Sequence, residues 1–129
     1  MKQNMPLVIS SLLSIVLFTV HLAHDVVFGL DSMTRSGTFM FFAIMLVSLY
    51  GTVELCGRRS GYIIMLLVGI LAAGMPVLHI VGGPRSAARG FFFVWTLLAL
   101  GATGVFSIVL AAKALWLSVR DRARSPATE

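Results

Sequence analysis

Residues 7–30 read LVISSLLSIVLFTVHLAHDVVFGL. A helix from about Pro6 to Phe28 is ~34 Å long at ~1.5 Å per residue, enough to cross the ~30 Å hydrocarbon core of a bilayer. Pro6 suits a first helical turn and Gly29 a stop. Lys2 followed by the uncharged stretch Met5 to Val20 mimics a secretory signal. The apolar run is too long for one and no small-x-small cleavage site follows it, so the segment reads as a retained helix.

Three more runs of the same kind follow, at about 38–56, 62–81 and 90–116, the last running on as helix to Val119. Gly57, Arg58, Arg59, Ser60 and Gly61 make a tight second connection, and Gly82, Gly83 and Pro84 end the third run. Of the whole chain 58% is hydrophobic and 12% charged, against about half and about a quarter in ordinary soluble domains. The expected fold is therefore all-α: an integral membrane four-helix bundle, antiparallel and up-down, over residues 1–119, with a basic tail at 120–129. Little chain is left for a separate soluble domain.

The formal net charge of +5 would suggest nucleic acid in a soluble protein. Here the basic residues sit at the ends of apolar runs, so lipid headgroups are the expected partner and nucleic acid is not. Four antiparallel spans put Lys2, Arg58, Arg59, Lys113, Arg120, Arg122 and Arg124 on one side, and Arg35, Arg85 and Arg89 on the other. The positive-inside rule then predicts both termini in the cytoplasm of a cell inner (plasma) membrane. Trp95 and Trp116 lie ~32 Å apart along the fourth helix, the spacing of two interfacial belts. A single cysteine, Cys56, excludes an intrachain disulfide and a cysteine-cluster metal site.

On the first helix Ser10, Ser14, His21 and Asp25 follow spacings of four, seven and four, with His24 beside them. They form one polar stripe that should face the bundle interior. Small residues mark further contact faces, Gly69, Ala72, Pro76 and His79 on the third helix and Gly101, Gly104, Ser107 and Ala111 on the fourth. Both read as packing seams, within the bundle or between protomers. Pro76 removes a helix hydrogen bond one turn before His79. Glu54 stands four residues before Arg58, the order of a helical ion pair.

The first and third helices run in the same direction, so His79 arrives at the depth of His21 and His24. Three imidazoles and the Asp25 carboxylate then gather at the outer end. His21, His24, Asp25 and His79 form a candidate divalent-metal site, with Asp31 in the following loop as a further carboxylate. His21 and His79 form a candidate haem ligand pair, with Arg85 or Arg89 for the propionates. A proton-linked role and a hydrogen-bonded cluster with no ligand use the same residues. No hydrolase triad or phosphate loop is present, and no catalytic residue is assigned.

The stretches at residues 7–30, YGTVELCGRRSGYIIMLL at 50–67 and AAGMPVLHIVGG at 72–83 resemble small four-span bacterial integral membrane proteins with no assigned activity. The resemblance covers most of the chain and implies its class alone. Small multidrug exporters also have four spans, but the glutamate they carry mid-membrane in the first helix is lacking here. The functional expectation is a non-enzymatic accessory or small oligomeric membrane protein, associating with itself or a larger membrane complex. Its alternative is a metal-, haem- or proton-binding transport or redox protein.

Overall fold

The computed structural model describes residues 4–27, 34–81 and 90–124, with side chains in the last stretch as far as Arg122. Phe28, Gly29, Asp31, Gly82, Gly83, Pro84, Arg85, Arg89 and Lys2 lie outside the described residues. Four helices account for nearly all the rest: α1 Met5–Val27, α2 Arg35–Val53, α3 Arg59–Val81 and α4 Phe91–Arg124. Each is long and apolar enough to cross a membrane by length and composition.

Local chemistry sets the helix ends. The carbonyl of Asn4 accepts from the amides of Leu7 and Val8 at the start of α1. Thr34 caps α2, its hydroxyl accepting from the amide of Gly37 at 3.2 Å, so this helix starts three residues before the apolar run does. Its other end also departs from the expectation. The helix stops at Val53, and the amides of both Glu54 and Leu55 close onto the carbonyl of Tyr50. Gly57 then turns the chain at φ 82°, in the left-handed region that glycine enters without a Cβ clash. The tight connection is thus 54–58, and Ser60 and Gly61 belong to α3. A Cβ on Gly61 would run into the carbonyl oxygen of Leu55, so glycine lets the first turn of α3 lie against the connection. The expected Glu54–Arg58 ion pair does not form. With Glu54 past the last helical residue and the chain reversing at Gly57, four residues no longer equal one helical turn.

The contacts set direction and register. Ser10 reaches Thr103 and Ser107, and His21 reaches Thr96. Arg59 reaches Ser118, His79 meets Phe93, and Ser11 bonds Thr52. Rising numbers on one helix meet falling numbers on its neighbour, so adjacent helices run antiparallel and α1 and α3 finish at the same end.

The broadest contact is α3 on α4, followed by α1 on α4. The two small-residue stripes meet face to face within the chain. A Cβ on Gly104 would stand 2.5 Å from the amide nitrogen of Ala73 and 2.8 Å from the carbonyl oxygen of Gly69. Gly101 takes the ring of Pro76, 2.8 Å from where its own Cβ would be. Where lipid is as apolar as the side chains, such close backbone approach and interhelical hydrogen bonds replace the hydrophobic effect as the cohesive terms. Ser10 Oγ donates to the carbonyl of Thr103 at 3.0 Å while accepting from Ser107 Oγ at 3.0 Å, and Ser11 and Thr52 share a bond of 2.8 Å. By contrast, α2 buries little beyond Met45, Ser48, Gly51 and Thr52 and makes no contact with α4 among the described residues.

Candidate metal centre

The polar stripe of α1 turns inward along its whole length, with Ser10, Ser14, His21 and Asp25 all buried. His21 is 2% exposed. Its Nδ1 lies 3.2 Å from Thr96 Oγ1 on α4. The single hydroxyl hydrogen of Thr96 is directed at the carbonyls of Phe92 and Phe93, each 3.0 Å away. Its oxygen therefore accepts from His21 Nδ1–H, and Nε2 on the other side of the ring lies 3.9 Å from Asp25 Oδ2.

His79 is oriented by the same device. Its Nδ1 lies 2.9 Å from the carbonyl oxygen of Met75, one turn back on α3. A carbonyl only accepts, so Nδ1 bears the hydrogen. An imidazole whose far nitrogen donates to an oxygen acceptor is held in the tautomer and orientation of a metal ligand.

His21, Asp25 and His79 each offer a ligand atom, and these atoms lie within 4.8 Å of one another. Tetrahedral zinc at bond lengths of ~2.0–2.1 Å draws its ligand atoms to ~3.3 Å apart. His24 stands outside the triangle. Its Nδ1 is 3.5 Å from Asp25 Oδ1, the carboxylate oxygen other than the one facing His21, and its ring lies over Phe92 with centroids 5.3 Å apart. Of the four sequence candidates, three converge and the fourth abuts the carboxylate from behind.

The rings of His21 and His79 meet edge to face, 5.4 Å between centroids, and Phe93 packs against both at 4.9 and 5.3 Å. A haem held between the two imidazoles would have to displace this contact and Phe93 with it. A small ion needs no such slot.

Thr96 and Phe93 are site residues that the sequence reading did not single out. Antiparallel register was the available signal: His21 lies six residues before the end of α1 and Thr96 five after the start of α4, which sets them level. One wall of the site is open. His21, Asp25 and His79 line the polar end of a cleft of about 300 Å³ between α1, α2 and α3. The chain finds no match among known protein families, curated proteins or solved structures.

Proposed function

We propose that this chain spans a membrane four times with both termini in the cytoplasm, and that it binds a divalent transition-metal ion near the outer face through His21, Asp25 and His79. The observation that carries the reading is the shared orientation of the two imidazoles. Each Nδ1–H is given to an oxygen acceptor, and each ring belongs to a cluster whose ligand atoms lie within 4.8 Å. Two neutral imidazoles and one carboxylate suit zinc, iron(II) and related ions, and three protein ligands leave a coordination position open. The bland alternative is a hydrogen-bonded cluster around Asp25, which takes up no metal. The role we propose is binding the ion and whatever occupies its open position.

The test is metal analysis of protein purified in detergent, followed by cobalt(II) titration, in which tetrahedral coordination produces visible d–d bands. Wild type should take up one ion per chain. His21→Ala and His79→Ala should each abolish the bands, and a wild type that yields neither bound metal nor cobalt bands would sink the reading.

A further inference from the structure

We propose that the open coordination position is filled by the oxyanion head of a single-chain lipid of the fatty-acid class, whose tail lies in a groove between α2 and α3. This rests on the metal reading above. A second apolar cleft of about 360 Å³ adjoins the cleft at the cluster, with Ile44 and Leu71 lining both. Together they follow α3 from His79 down to Ile64, ~22 Å at the helical rise and about three-quarters of the hydrocarbon thickness.

Spread over that length, the two volumes give a mean cross-section of about 30 Å², a slot ~6 Å across. With carbon–carbon contacts at ~3.5–4.0 Å, such a slot takes one alkyl chain and not two abreast. The groove exists because α2 is held closely near its C-terminal end, where Ser48, Gly51 and Thr52 are buried and Gly51 lies against Ile64. Nearer its start Phe39, Met40 and Phe42 are exposed.

Any exposed face of a spanning helix meets acyl chains. This groove differs in ending on ionisable groups. A divalent ion with two neutral imidazoles and one carboxylate carries a net charge of +1, which is costly in a low dielectric unless an anion completes the shell. A lipid carboxylate supplies the charge and an oxygen ligand, and it reaches the site by lateral diffusion.

The test uses the full chain in phosphatidylcholine nanodiscs, loaded with cobalt(II) and titrated with two chelators sharing one head group, acetohydroxamate and dodecanohydroxamate. Both should shift the cobalt d–d bands. Groove-filling Leu71→Trp, and Val47→Trp at the exposed rim, should weaken dodecanohydroxamate by about ten-fold and leave acetohydroxamate unchanged, which also reports an intact site. Partition of the long chain into the discs is the same for every variant. Equal dodecanohydroxamate affinity in wild type and both tryptophan variants would overturn the lipid proposal alone and assign the groove to bulk acyl chains. Absence of cobalt bands in wild type would overturn the metal reading and this one together.

Discussion

At the scale of single residues, the site is defined less by its ligands than by the groups holding them. Thr96 bonds His21, so Thr96→Val removes one oxygen at nearly constant volume. Loss of an outer partner of this kind costs about 10- to 100-fold in metal affinity. Thr96→Val should therefore weaken cobalt binding by that factor while keeping the tetrahedral bands, whereas His21→Ala loses the bands. An unchanged affinity would show that Thr96 does not set the tautomer. His24 makes the complementary case. It touches Asp25 through the oxygen turned away from His21, so His24→Ala should weaken binding by about ten-fold and still leave a saturable site. The sequence put His24 and His79 together in the candidate metal set, His24 beside the α1 stripe and His79 at the same depth on α3. They differ because Asp25 shows one oxygen to each side of α1, and the side facing α3 is the one that converges.

At the scale of elements, hydropathy located all four helices but misplaced both ends of α2. Thr34 is a capping hydroxyl and Arg35 a charge, and neither scores as apolar. At the other end Leu55 and Cys56 are apolar but lie beyond the last helical residue. Hydropathy reports solvent preference, while a helix end is decided by which amides find carbonyls. The α3–α4 seam was legible as small residues at spacings of three and four, because a helix face is a local property. Its partner was not, since the same stripe serves a neighbouring helix or a second protomer equally well. Gly104→Val would drive a side chain into the backbone of Ala73 and Gly69, so it should destabilise the protein by about 1–3 kcal/mol, seen as a lower thermal midpoint in detergent. Insensitivity would mean that the seam is looser than drawn. For the α1–α2 contact, a Ser11→Ala and Thr52→Ala double-mutant cycle should give a coupling of about 0.6 kcal/mol, the average for interhelical bonds in membrane proteins. A coupling near zero would dissociate that bond from stability.

At the scale of the whole molecule, charge and packing bear on different questions. Arg58 and Arg59 stand at the α2–α3 connection, and Lys113, Arg120 and Arg122 on α4 lie at or toward that same end. By the positive-inside rule, the proposed orientation puts this end in the cytoplasm. A reporter enzyme active only after export, fused after Glu129, should be silent, and the same reporter inserted between α1 and α2 at residues 31–33 should be active. The reverse pattern would invert the orientation and put the metal cluster on the cytoplasmic side. Trp95 and Trp116 are both exposed on α4, in keeping with an aromatic belt at each interface, and the guanidinium of Arg120 sits 5.4 Å from the Trp116 ring centroid.

Sequence by itself determined the four apolar helices and the inward face of α1, because hydropathy and three-to-four residue spacing are written within each segment. Tertiary structure alone decided that His21, Asp25 and His79 converge, that Thr96 and Met75 orient the rings, and that α2 stands far enough off to open a groove. Those outcomes depend on the rotation and closeness of helices distant in the chain. Both are set by where backbones meet at Gly69, Gly101 and Gly104, and no single segment records them.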